Sequence, residues 1–282
     1  MARLIINADD FGSFEGVNRA VEKSIREGAL RSTTIMAGGN AFDDAVEVAR
    51  RNPSLGVGVH LTLVRGRPVL TKDEIPSLVD ENGMFYEDYG AFIKKYLTGR
   101  VSLDEIRSEL SAQIRKAEAA KIDITHVDSH QHMHVLPGIL GIVIGIARDA
   151  GIKAMRVPSA SIFLGSATNG IGQLIGRTGL FTLSEIARMR AKLAHINSPE
   201  HFDGIVAGEA VSEEYMMYAI ENLHGGTTEI MVHPGDDNAA LQKSADWEHD
   251  FEKELKSITS KKVMKLIESK KVELISFRDI QK

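Results

Sequence analysis

Four polar clusters in this sequence follow short apolar runs, and together they hold the residue types that bind a divalent metal and move protons. The first run ends in Asp9-Asp10-Phe11-Gly12 and the third in Gly58-Val59-His60-Leu61. The fourth leads into the stretch from Thr125 to His134, and a late one ends in Val232-His233-Pro234-Gly235. The chain has no cysteine, which removes disulfides, thiolate metal sites and a cysteine nucleophile and leaves carboxylate and imidazole as metal ligands. Adjacent aspartates can divide the work, one as a ligand and its neighbour as a general base toward water. An aspartate capping a helix is the alternative. An ideal strand aims the two to opposite faces, and Gly12 marks a turn there.

His60 interrupts an apolar strand, so it reads either as a ligand or as a core histidine with a buried hydrogen-bond partner. From His126 to His134, four histidines and one aspartate occupy the even positions. Extended, they share one face, but the outer two then lie roughly 26 Å apart at about 3.3 Å per residue. One or two can therefore reach a single metal, and the rest orient ligands, touch substrate or stay in the loop. His233, ahead of Pro-Gly, suits a general acid at a strand end, with a turn histidine bonded to backbone as the alternative. Arg156 is a candidate for substrate binding or for a structural salt bridge.

What must position these residues is an alternation of short β-rich runs and longer amphipathic ones. Strands are expected at 4–8, 32–37, 55–63, 124–128, 154–157, 202–206, 229–232 and 272–276. Helices are expected at 16–28, from an N-cap at Asn40 to Pro53, at 102–121 behind a Ser102/Glu105 capping box, and at 137–150, 184–195, 212–223 and 245–269. This order predicts an α/β fold, a single-domain (β/α) barrel over 1–282 with loop insertions at 65–98 and 161–182, where functional groups gather at the C-terminal strand ends. A doubly wound open sheet is the alternative.

With 282 residues, 43% hydrophobic and 26% charged, and a net charge of -5, the composition is that of a soluble globular protein. No strong field draws it to nucleic acid or an anionic membrane, so the expected partner is a small molecule. The N-terminus turns acidic after a very short apolar run, unlike a secretory signal, and a cytoplasmic location is expected. A symmetric homodimer is the default oligomer.

Taken together, Asn7-Ala8-Asp9-Asp10-Phe11-Gly12, Gly58-Val59-His60, Thr125 through His134 and Val232-His233-Pro234-Gly235 resemble, in family order, the YdjC-like carbohydrate deacetylases, which include chitooligosaccharide deacetylase. The resemblance implies a distorted TIM-like barrel and a divalent metal bound by Asp10, His60 and His130. It implies Asp9 as base and His233 as acid, with His132 or His134 as alternatives at the same leaving nitrogen; these two and Arg156 are the candidate substrate-binding residues. The family is associated with Mg2+, although two histidines and one carboxylate suit Zn2+ or another transition metal. The implied reaction removes acetyl groups from N-acetylated sugars. Two other readings stand beside it. One is a different metal-dependent TIM-type hydrolase, a phosphoesterase or an amidohydrolase, although the first strand lacks the His-x-His pair of the latter. The other is a catalytically silent sugar-binding protein.

Overall fold

The computed structural model describes residues 2–159, 171–205, 210–245 and 247–281, with the backbone alone for 171–178. The apolar runs become parallel strands of one sheet: β1 (Ala2–Phe11), β2 (Ser32–Ile35), β3 (Gly56–Leu61), β4 (Ile124–Ser129), β5 (His201–Asp203), β6 (Gly226–Val232) and β7 (Glu273–Leu274). Their order is β4-β3-β2-β1-β6-β5, with β7 beside the start of β1. Beyond β4 the sheet continues through single bridges, Val127 to Met155 and Ala154 to Asn197. The run expected as a strand at 154–157 is reduced to these, and Pro158 ends it because proline cannot donate to a ladder. The architecture is a distorted (β/α) barrel.

Helices cover the outside: α1 (Glu15–Glu27), α2 (Phe42–Arg51), α3 (Tyr89–Leu97), α4 (Leu103–Ala119), α5 (Ile139–Asp149), α6 (Ile171–Leu193), α7 (Glu213–Glu221), α8 (Asn238–Ala245), α9 (Phe251–Ile258) and α10 (Lys261–Ser269). Alternation along β1 separates two environments. Leu4, Ile6 and Ala8 join Val17 and Val21 of α1 and Val46 of α2 in an outer core, each large aliphatic contributing about 1.5–3 kcal/mol by burial. Ile5, of opposite parity, packs with Ala154, Ile275 and Phe277 inside the barrel. Asn7 and Asp9 share that inward parity, so the interior is apolar at its floor and ionic above it. Among the described residues no helix is long and apolar enough to cross a membrane.

Several expected boundaries move. The helix expected at 245–269 is broken, because the Asp250 and Ser260 side chains accept backbone N–H groups at the starts of α9 and α10 and so open new helices. Asn40 does not cap α2; Ala41 holds that position without a side-chain bond, and Asn40 lines a cavity instead. Ser102 does cap α4, but the Glu105 carboxylate bonds Ser77 rather than closing the box, and so ties the 65–98 excursion to the helix. Of the 161–182 insertion, 161–170 lie outside the described residues, and α6 opens at Ile171 and carries the helix expected at 184–195. Val206, the expected end of the strand at 202–206, also lies outside them, and β5 stops at Asp203.

Candidate metal centre and its pocket

The centre begins with a β-bulge. Ala8 pairs with Thr33 and Phe11 with Ile35, so three steps of β1 oppose two of β2, and Asp10 takes a φ of 60°. A bulge re-aims side chains, and here it brings both Asp9 and Asp10 to one cavity instead of sending them to opposite faces. A left-handed aspartate costs on the order of 1 kcal/mol or more, and Asn18 of α1 holds the turn by accepting the Gly12 N–H at 2.8 Å.

The histidine stretch is not extended throughout. β4 ends at Ser129, and Gln131 and His132 both have a φ of 54°, which folds the chain back into a short helical turn. His130 is left facing Asp10, with Nδ1 3.3 Å from Asp10 Oδ1, while His60 Nε2 approaches the same oxygen at 3.4 Å. Two donors about 2.1 Å from one cation lie roughly 3.0–3.4 Å apart at octahedral to tetrahedral angles. Asp10 Oδ1 is buried without a hydrogen-bond partner, an orphan that a cation would satisfy.

Behind these three donors lies an ionic cluster. Asp128 Oδ1 is 2.8 Å from His60 Nδ1, which directs the other ring nitrogen toward Asp10. Arg156 donates to Asp9 Oδ2 at 2.6 Å and Oδ1 at 2.7 Å, to Glu229 Oε1 at 2.8 Å, and lies 2.8 Å from Asp128 Oδ2. The guanidinium is fully buried and bound to carboxylates, so the substrate contact expected of Arg156 gives way to a structural role. His134 is equally enclosed, between the Ser129 hydroxyl and the Arg156 carbonyl at 3.0 Å, and His132 packs edge-on against Phe202. Neither lines the cavity, because the left-handed turn points both back into the protein. His126 lies deeper, stacked 3.6 Å from Phe277, in space that Gly58 leaves free by having no Cβ.

Charge follows from this packing. Burial would raise the Asp9 carboxyl, but the Arg156 guanidinium outweighs it and holds Asp9 well below the usual carboxylate range. Asp10 is depressed in the same sense by His130 and His60. Burial pushes Glu229 up to about 8 and lowers His126 to about 3 and His134 to about 4, so these three are neutral near pH 7. Ionised Asp9, Asp10 and Asp128 then face the Arg156 guanidinium and a His60 ring pushed up to about 9, and once a cation displaces the His60 proton two negative charges remain uncompensated, the complement of a divalent ion. The cavity in front measures about 360 Å³ and is lined by Asp9, Asp10, His130, His233 and Trp247, with Arg65, Arg67 and Met84 supplied by the 65–98 excursion.

The sequence model described as YdjC-like protein matches residues 3–269. The chain belongs to the YdjC-like family. Relatives named carbohydrate deacetylase include one from Brevibacillus brevis, 32% identical with 99% of each chain covered, and carbohydrate deacetylase 1 from Listeria innocua, 31% identical with 99% of this chain and all of the relative covered. A crystal structure from Enterococcus faecalis V583, provisionally described as a cellobiose-phosphate cleavage protein, superimposes with a TM-score of 0.76 at 26% identity, covering 99% of this chain and 98% of that one.

In this YdjC-like chain, sequence reading missed Thr34, whose hydroxyl donates to Asp128 Oδ2 at 3.1 Å and stands 3.3 Å from His60 Nδ1, and also Glu229, Trp247, His249 and Glu254. Glu229, a charged residue inside an apolar strand, carried a signal, because a lone carboxylate there must find a partner. His60 carries a testable consequence. Burial would lower its imidazole, but Asp128 and Asp9 outweigh it and push it up to about 9. Near pH 7 the metal-free ring therefore holds a proton that a cation at Nε2 must displace. Apparent metal affinity should rise about tenfold per pH unit below about pH 8 and level off above about pH 9. Competition titrations with a chromophoric chelator check this, and a flat profile would mean that the free ring is already neutral.

Proposed function

We propose that this protein is a metal-dependent hydrolase that removes the acetyl group from an N-acetylated sugar. The observation that carries the reading is the convergence of His60 and His130 on Asp10, beside a cavity lined by Asp9, Asp10, His130 and His233. Names of relatives at about 30% identity over the full chain supply the substrate class. Asp10, His60 and His130 would hold a divalent cation, Mg2+ by family association or Zn2+ by donor type. When bound, it supplies Lewis acidity toward the acetamide carbonyl and the attacking water.

The remaining chemistry belongs to the chain. Asp9 Oδ1 already accepts from Asn7 and Arg156, whereas Oδ2 accepts from Arg156 alone among the described residues, so Oδ2 keeps a lone pair to receive the water's proton. Arg156 keeps that carboxylate ionised and aimed. As water oxygen bonds to the carbonyl carbon and the C–N bond breaks, His233 gives its proton to the sugar nitrogen, releasing acetate and an amine. The deciding assay measures acetate release from N-acetylglucosamine oligomers after loading with Mg2+ or Zn2+ and after chelation. Turnover that needs metal is expected; no acetate under any loading would end the proposal.

A further inference from the structure

The acid side of the pocket extends past His233. Glu254, in the first turn of α9, is 1% exposed, and a carboxylate so enclosed must be partnered. Its Oε2 accepts the backbone N–H of His233, and its Oε1 accepts that of Val211 at 2.8 Å. His249 Nε2 stands 3.1 Å from the same Oε1, on a ring that is 5% exposed. That ring stacks on Trp247 at 4.0 Å and meets His233 edge-on at 5.6 Å. Donor and acceptor atoms of His233, His249 and Glu254 lie within 4.8 Å of one another, a span that one bridging water covers. Asp9 and Asp10 line the same cavity as His233.

We infer that His249 and Glu254 are a positioning pair for His233, fixing its ring at the cavity and stabilising the proton it delivers to the departing nitrogen. The inference rests on the hydrolase reading and deepens it. A clamp on the backbone alone would need the carboxylate but not the buried imidazole. With His249 beside it, Glu254 orients the proton-carrying group, the role a third residue plays behind a catalytic base.

The test compares two acetyl donors, an N-acetylglucosamine oligomer, whose amine must be protonated to leave, and 4-nitrophenyl acetate, whose phenolate leaves unaided. In metal-loaded enzyme, Glu254→Gln and His249→Gln should each lower the amide-to-ester rate ratio about 10²-fold, with the loss in kcat rather than KM. His249→Gln leaves both backbone N–H acceptors in place and carries the test if Glu254→Gln fails to fold. Equal losses on both substrates in an active enzyme would overturn the pair and leave the hydrolase reading standing. A second equivalent of bound metal that disappears in Glu254→Gln would also overturn it, since a cation would then occupy the space assigned to a proton. Wild type inert on both substrates would overturn the hydrolase reading and the pair with it.

Discussion

Asp9→Asn is expected to lower kcat for acetate release by about 10²–10⁴-fold, the range that a positioned general base supplies, while the metal content stays near that of wild type. The separation of effects follows from the bulge in β1. Asp10, not Asp9, meets His60 and His130, so the ligand set survives the change. Among the described residues, the hydrogen bonds to the Asp9 carboxylate all come from donors: Asn7 Nδ2, the Thr34 hydroxyl at 3.5 Å and the two terminal nitrogens of Arg156. An asparagine there turns its own NH2 toward one of those donors, so a fall in the thermal midpoint should accompany the kinetic loss. Acetate assays well below that midpoint, with metal analysis of the same sample, separate the two. Activity within tenfold of wild type would remove Asp9 from the mechanism.

Arg156→Met should cost the fold about 3–5 kcal/mol near pH 7, the penalty for removing one partner of a buried charge cluster. Arg156 is fully enclosed, and without it Asp9, Asp128 and Glu229 face one another with no guanidinium between them. The pH dependence has a definite sign. In wild type, Asp9 and Asp128 are held below their ordinary values against the opposing effect of burial, chiefly by Arg156. Their stabilisation is therefore present above the unfolded carboxylate range and lost as pH falls through the lowered folded values. The difference between variant and wild type should be greatest above about pH 5 and shrink below about pH 4, as the variant's carboxyls take up protons. Urea unfolding with chelator present, at several pH values, measures it. A pH-independent difference would assign the loss to packing of the side-chain stem rather than to charge.

The sequence by itself determined the chemistry on offer and the alternation that carries it. A chain without cysteine, with paired aspartates and histidines after apolar runs, restricts a metal site to oxygen and nitrogen donors. The two-residue period of β1 already set Asn7 and Asp9 apart from Leu4, Ile6 and Ala8, because strand parity is a local property. Helix starts were legible where a side chain caps its own neighbours, as at Ser102, and were lost at Asp250 and Ser260 inside a continuous amphipathic run.

Tertiary structure alone decided which histidines serve the centre. Left-handed backbone at Gln131 and His132 leaves His130 at the cavity and turns His132 and His134 away, and residue types did not signal that conformation. Arg156 reaches Asp9 across 147 positions of sequence, and Glu254 reaches His233 across 21. Such pairings depend on strand order and on the bulge, which no local period encodes. Periodicity fixes which way a side chain points, whereas what it meets there is set by elements distant in the chain, and the electrostatics of a buried group depend on the latter.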